Sequence, residues 1–248
     1  MSRSDKLFHP GDILTAIALL SRLPMRADFS RGARASWAYP IAGAVIAAMA
    51  ALPTAAALAL GIPPTLAALV WVAVSVIICG AMHEDGLADC ADGFWGGWER
   101  DRRLEIMKDS RIGAYGVIAL CLSLGARWLA VGIILQSDTW LWPLLITALL
   151  SRAIMPALMT ALPHARDNGL SHAQGRPGVP TTTLGACLAV TAAVALMGLS
   201  GLSLALLAGM STVICGLIAR TKIGGQTGDV LGATQQVTEI TLLVALTV

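Results

Sequence analysis

Residues 113–135, GAYGVIALCLSLGARWLAVGIIL, carry one charged side chain, Arg127, in a run long and apolar enough to cross a lipid bilayer as a helix. The rest of the chain agrees with that reading. Of its 248 residues 56% are hydrophobic and 13% charged, with a mean hydropathy of +0.73, where a soluble domain has about a quarter of its residues charged. Comparable runs lie near 38–60, 65–82, 139–162, 181–199, 202–220 and 233–248, the last of them short. The expected fold is all-α: a polytopic membrane bundle of six to seven transmembrane helices. Neither a repeat nor a low-complexity linker divides the chain, so residues 1–248 are read as one domain. The patch ILTAIALL at 13–20 follows Asp12 and precedes SRLPMR without a small-residue cleavage site. It is expected as a retained interfacial or half-inserted helix.

The connections between these runs alternate in character. GIPPT, QSDTW and LSGLS are short and carry no Lys or Arg. The N-terminal arm and residues 83–112, 163–180 and 220–232 are long and charged, and hold all of the 17 Lys and Arg except Arg127 and Arg152. The positive-inside bias places this second group on the cytoplasmic face, so the polar chemistry is expected on one side of the membrane. A net charge of +2 without a basic stripe excludes nucleic acid as a partner. The five cysteines show no CxxC or Cys/His ligand spacing. They read as small core residues, with neither a disulfide framework nor a zinc site.

Immediately before the quoted run, residues 83–116 hold eight of the fifteen acidic residues. Asp85, Asp89 and Asp92 stand at i, i+4 and i+7, so a helix continuing from the 65–82 run would present all three from one face. Like charges so spaced repel, and Glu84 adds to the repulsion. Hard oxygen donors without thiolate or ordered His ligands suit Mg2+ or Mn2+. Gly86, Gly93, Gly96 and Gly97 leave room for a close approach. The bland rival is a solvated loop of mixed charge; the helical register, the glycines and the membrane boundary favour the metal.

Arg100, Arg102, Arg103, Lys108 and Arg111 follow within twenty residues of the carboxylates. A metal beside guanidinium groups is what phosphoryl transfer requires, because cations neutralise the non-bridging oxygens. For Arg100, Arg102 and Arg103 a salt-bridged surface helix explains the charges equally well. Lys108, Asp109, Ser110 and Arg111 directly precede Gly113 and Gly116 at the mouth of a span, where a helix N-terminus adds to anion binding. The segment 163–180 contributes Arg166, Asp167, His172 and Arg176. The segment 220–236 contributes Lys222, Gly224, Gly225, Thr227, Gly228, Asp229 and Gln235, in a composition that can wrap phosphate or ligate a metal. None of His9, His83, His164 and His172 has metalloprotease-type spacing, and each reads as a hydrogen-bonded residue at the membrane boundary. Arg127, Arg152 and Glu239 lie at membrane depth, where they must face the bundle interior. Pairing with a carboxylate and lining a polar substrate pocket both remain open for them.

LSRLPM at 20–25, HEDGLADCADGFWGG at 83–97, RRLEIMKDSRIGAYG at 102–116, Arg152 with Pro156, and GGQTGDVLGATQQ at 224–236 together resemble the adenosylcobinamide-GDP ribazoletransferase (cobalamin synthase) family of bacterial and archaeal membrane enzymes. The likeness runs in the same order from residue 20 to Glu239. Glu84 and Cys90 stand where the family has Leu and Thr. The resemblance implies a Mg2+-dependent last assembly step of vitamin B12 synthesis. In it adenosylcobinamide-GDP reacts with α-ribazole or its 5'-phosphate to give adenosylcobalamin or its 5'-phosphate plus GMP. It also implies a multi-pass protein of the bacterial inner membrane with its active site facing the cytoplasm; a homo-oligomer is compatible with the chain.

Taken with the residues, this assigns Glu84, Asp85, Asp89, Asp92 and Asp229 as candidate metal ligands. Lys108 and Arg111, with Arg176 or Lys222, are expected to neutralise departing GMP. Arg103, Ser110, Arg152, Arg166, Gly225, Thr227 and Gly228 are expected to bind substrate. Asp109, or an unligated member of the acidic cluster, is expected to take the proton of the attacking ribazole 3'-hydroxyl. Two other classes compete. A CDP-alcohol phosphotransferase uses similar metals, but its DGxxAR motif is absent, Asp85-Gly86 being followed by LADCAD. A cation transporter needs carboxylates near the bilayer midplane, whereas these gather at one surface.

Overall fold

The computed structural model describes residues 7–248, which are helical with no strand among them. Helix α1 (Gly11–Leu20) has ten residues, too few to cross a membrane, as expected for an interfacial or half-inserted segment. Asp12 fastens it to the 3-10 segment Phe29–Ala38, accepting from Arg31 at 2.7 Å and from the indole N–H of Trp37 at 2.8 Å. Then follow α2 (Tyr39–Ala59), α3 (Pro64–Cys79), α4 (Met82–Gly96), α5 (Arg100–Ile106), α6 (Ala114–Ile134), α7 (Leu141–Ala161), α8 (Leu170–Gln174), α9 (Val179–Ile223) and α10 (Gly228–Ala245).

By length and composition four helical stretches can cross a membrane, or five if α3 and α4 form one broken span. The chain is thus a multi-pass membrane protein, and the 45-residue stretch Val179–Ile223 among these is long enough to cross twice. The runs at 181–199 and 202–220 are the two arms of α9, two helices that meet at Gly198, where φ is 58° and ψ is −134°, and fold back on each other, so that a Cβ on Gly201 would run into the Ala193 carbonyl. The last run, α10, is too polar to count: Gln235, Gln236 and Glu239 all lie on it and are buried.

The expected continuation of the 65–82 helix into the acidic stretch fails at Gly80 and Ala81. Both adopt left-handed conformations, with φ of 63° and 55°, and α4 leaves α3 at 86°. A side chain at such a φ is unfavourable, so tertiary contacts must impose it on Ala81; the N–H of Arg22 bonds the Ile78 carbonyl at 2.7 Å just before the bend. Residues 83–112 are therefore not a loop but two helices, α4 and α5.

Charged side chains meet inside the bundle. Glu84 on α4 takes Arg127 of α6 at 2.6 Å; Arg127 also reaches Glu239 of α10 at 3.1 Å, and Glu239 reaches Arg152 of α7 at 3.4 Å. Gln235, Gln236, Ser123 and Ser151 add further bonds, while Glu84 Oε2 and Arg152 Nε are left without a hydrogen-bond partner. An isolated Arg at the bilayer centre costs on the order of 3 kcal/mol or more, so pairing is the condition on which α6 and α7 can lie where they do. Of the cysteines, Cys79 and Cys90 are buried as expected, whereas Cys121 and Cys187 lie on exposed helix faces. An apolar helix turned toward lipid has no need to hide a thiol.

Replacing Glu239 with Gln leaves two buried guanidinium groups short of a carboxylate. The expected loss is about 3–5 kcal/mol, read as a large drop in thermal stability of the detergent-solubilised protein. Arg102→Gln, which breaks only an exposed pair with Glu105, is expected to change nothing measurable. Equal melting of both variants with the unmodified protein contradicts the role given to the network.

Candidate functional site

At one end of the bundle α4 passes α10 so closely that a Cβ on Gly86 would meet the Asp229 backbone carbonyl at 2.7 Å. Only glycine permits this approach, and its effect is to bring three carboxylates together. Asp89 lies in the electrostatic field of Asp229, Asp85 and Asp92, with one cation, Arg166, among them. Asp85 is exposed, while Asp89 and Asp229 are half-buried. Among the described residues the carboxylates of Asp85 and Asp89 accept no hydrogen bond. Asp229 accepts from Arg166 at 3.1 Å and from the Thr227 hydroxyl at 3.2 Å.

A cavity of about 220 Å3 opens beside them. Its mouth has Asp85, Asp229, Gly228 and Arg166; its inner wall has Tyr39, Met82, His83, Met155 and Met159. Arg166 spends one nitrogen on Asp229 and keeps two, Nε and Nη1, buried without a partner. The loop 224–227 frames the mouth. Gln226 pairs through its backbone with Pro163 and Ala165, accepts from Ser171 at 2.6 Å, and bonds the His164 ring at 2.9 Å. Burial, with the nearby His172 ring and Arg176, pushes the His164 imidazole below its usual value. Thr227 caps α10, accepting from the Val230 N–H at 3.3 Å.

Several expected site residues are held elsewhere. Glu84 belongs to the interior network, and Asp92 is buried with its two oxygens on the N–H groups of Gly113 and Gly116 at 2.7 and 2.9 Å. Asp92 therefore anchors the N-terminus of α6, where a carboxylate is stabilised by the orphan N–H groups and the helix dipole. Arg103 clasps the Gly97 and Lys222 carbonyls, Arg176 the Met159 and Thr160 carbonyls at the end of α7, and Arg152 is buried against Glu239 and Ala148. The Lys222 ammonium stacks over Trp95 at 4.2 Å. Lys108 and Ser110 are exposed, and Asp109 pairs with Arg111 at 3.2 Å on the surface, an interaction that holds the Asp109 carboxyl below its usual value. Gly225 sits tight against the Pro163 carbonyl, a packing role, while Gly228 faces open space at the cavity.

Among the described residues no three His, Cys, Asp or Glu side chains converge closely enough to hold a metal ion. The chemistry of the donors suits a hard divalent cation, since Asp85 and Asp229 line the mouth, Asp89 lies in the field of both, and Asp85 and Asp89 are uncommitted. The sequence reading missed His83. It is buried, 1% exposed, with neither ring nitrogen hydrogen-bonded, not the satisfied boundary histidine expected. Its adjacency to Asp85 was visible in the sequence; its burial was not.

Known proteins match the chain over most of its length. The family profile described as cobalamin-5-phosphate synthase matches residues 12–247. The adenosylcobinamide-GDP ribazoletransferase of Bradyrhizobium diazoefficiens is 46% identical over 220 residues, which is 85% of this chain and 82% of the relative. The protein of the same name from Sinorhizobium medicae is 42% identical over 249 residues, 95% of each chain. That of Mesorhizobium japonicum is 39% identical over 240 residues, 96% of this chain and 93% of the relative. No solved structure matches.

The division of the carboxylates is open to a direct check. Asp92→Ala strips two backbone N–H groups of their acceptor and is expected to cost about 1–2 kcal/mol, whereas Asp85→Ala relieves repulsion and is expected to leave the melting temperature unchanged or higher. The reverse order of the two variants in a thermal melt contradicts these placements.

Proposed function

Because the chain belongs to the cobalamin-5-phosphate synthase family, we propose that it joins adenosylcobinamide-GDP to α-ribazole or its 5'-phosphate, giving adenosylcobalamin or its 5'-phosphate and GMP. The observation that carries the site assignment is the mouth where Asp85 and Asp229, with Asp89 in the field of both, stand beside Arg166, which bonds Asp229 and keeps two nitrogens unpartnered. The family displaces the CDP-alcohol and transporter readings.

The reaction is a substitution at phosphorus. The ribazole 3'-hydroxyl oxygen bonds the phosphorus nearest the corrinoid, the P–O bond to the GMP phosphate breaks, and GMP leaves with that oxygen. Arg166 directs Nε–H and Nη1–H at the departing phosphate, where charge grows as the bond breaks. The hydroxyl proton passes to a carboxylate of the cluster. Asp109, held ionised by Arg111, is a weaker proton acceptor than the uncommitted Asp85 and Asp89. Asp85, Asp89 and Asp229 do not converge as a ready-made site, and would hold Mg2+ together with oxygens of the bound diphosphate; the metal would supply neutralisation of the non-bridging oxygens. Glu84 and Asp92, committed inside the fold, position these residues without joining them. Thr227 holds Asp229, Arg176 holds the carbonyls at the end of α7, and Arg103 ties the end of α4 to the end of α9 through the Gly97 and Lys222 carbonyls. The apolar inner wall excludes water, which strengthens electrostatic contacts at the mouth. In the cell the protein lies in the inner membrane with this end toward the cytoplasm, where the nucleotide-activated substrate and most of the Lys and Arg are found.

The test is GMP release by purified protein in detergent, given adenosylcobinamide-GDP, α-ribazole and Mg2+. Release is expected to require both ribazole and Mg2+ and to fall at least ~100-fold in Asp89→Asn, with the variant's melting temperature retained. Ribazole-independent release, or none from a folded protein, refutes the assignment.

A further inference from the structure

The cavity behind the carboxylates holds more than the transfer chemistry uses. Its inner wall is apolar and sulfur-rich, with Met82, Met155 and Met159 beside the Tyr39 ring. Set in this wall is His83, 1% exposed, with both ring nitrogens free of any hydrogen bond. A buried polar group without a partner is costly, and where it lines a cavity a ligand that completes it is one physical reason for keeping it. Nearer the mouth, Gln174 also lines the cavity and leaves its Oε1 unpartnered, and Arg166 leaves two nitrogens. From inside outward the cavity thus offers an imidazole among methionines, a carbonyl acceptor, and a guanidinium.

We infer that this cavity seats the ribazole, with its benzimidazole ring against Met82, Met155, Met159 and Tyr39 and its free ring nitrogen accepting the N–H of His83. The inference rests on the reading of function given above and assigns one of its two substrates to a place. Three features select this occupant. First, the cavity of about 220 Å3 is larger than the roughly 150 Å3 void that takes up benzene, which suits a bicyclic ring and is far too small for a corrin. Second, a thioether-lined wall favours the faces and edges of an aromatic ring. A guanine would bury several donors and acceptors there, against the single imidazole on the inner wall. Third, a neutral imidazole presents one N–H donor, and a benzimidazole riboside has one unsubstituted ring nitrogen to accept it. The ribose hydroxyls then fall to Gln174 Oε1, and the sugar is delivered toward Asp85 and Asp229 at the mouth. His83 is a binding and positioning residue in this scheme; it takes no proton.

The test compares α-ribazole with its indole analogue, in which the ring nitrogen is replaced by C–H, in the GMP-release assay. For the unmodified protein the analogue is expected to raise KM by ~10-fold, the worth of one neutral hydrogen bond. His83→Leu is expected to raise KM for α-ribazole by a similar factor, more than it lowers kcat, and to treat the two substrates alike. KM for adenosylcobinamide-GDP is expected to stay as it was. His83→Gln, which restores an N–H donor, should recover part of the preference. The inference is overturned if His83→Leu still prefers α-ribazole, if the KM change falls on adenosylcobinamide-GDP, or if the unmodified protein does not distinguish the two rings. That last comparison needs no variant, so a His83→Leu protein that fails to fold does not shield the idea. Absence of ribazole-dependent GMP release from the unmodified protein is a separate result, which refutes the functional reading itself.

Discussion

The ion chain from Glu84 through Arg127 and Glu239 to Arg152 is the constraint on which the rest of the bundle depends. Charge at membrane depth is tolerated only when paired, and here each guanidinium is paired by a carboxylate on a different helix. The pairing fixes α4 against α6 and α10, and α7 against α10. Once Glu84 is turned inward, its neighbours follow from helix geometry: Asp85 faces out at the mouth, and Asp89, one turn on, stands above it.

The same helix shows how one residue type is put to three uses. Glu84 neutralises a buried arginine, Asp92 closes the N-terminus of α6, and Asp85 with Asp89 stays uncommitted beside Asp229. The arginines divide in a similar way. Arg100, Arg103 and Arg176 satisfy main-chain carbonyls where helices end. Arg166 alone combines a bond to a cluster carboxylate with unspent donors in the cavity. A frame of largely committed side chains surrounds the uncommitted carboxylates of Asp85 and Asp89 and the unspent donors of Arg166, an arrangement suited to receiving a charged substrate.

Much of this was legible in the sequence. Lipid imposes a simple length and polarity on its spans, so the runs at 38–60, 113–135 and 139–162 fall close to α2, α6 and α7. Asp85, Asp89 and Asp92 were read as one cluster from spacing, with Asp229 as a further ligand; Asp85 and Asp229 line one mouth with Asp89 in the field of both, while Asp92 is committed to the start of α6. The bend at Gly80 and Ala81 was not legible, because a single glycine in an apolar run does not announce an 86° turn that tertiary contacts impose. Nor could spacing tell Asp92 from Asp89: both lie on one helix, and only the approach of Gly113 and Gly116 separates their roles. Arg103 and Arg176 were expected to bind substrate because their acceptors are backbone carbonyls, which no residue pattern reveals. His83 escaped because its distinguishing property is the lack of a partner, which only a packed structure can show.

The order in which the ion chain's members emerge during synthesis adds a further consequence. Glu84 precedes Arg127, so α6 can enter the bilayer with a partner already made. Arg152 has no such advantage: the carboxylate that meets it, Glu239, lies on α10, the last described helix to be translated. Until then the guanidinium on α7 has the Ala148 carbonyl and the Ser151 hydroxyl of its own helix as partners but no counter-charge. Insertion of this protein is therefore a delayed closure, in which the polar α10 enters as the counter-charge for helices already in place.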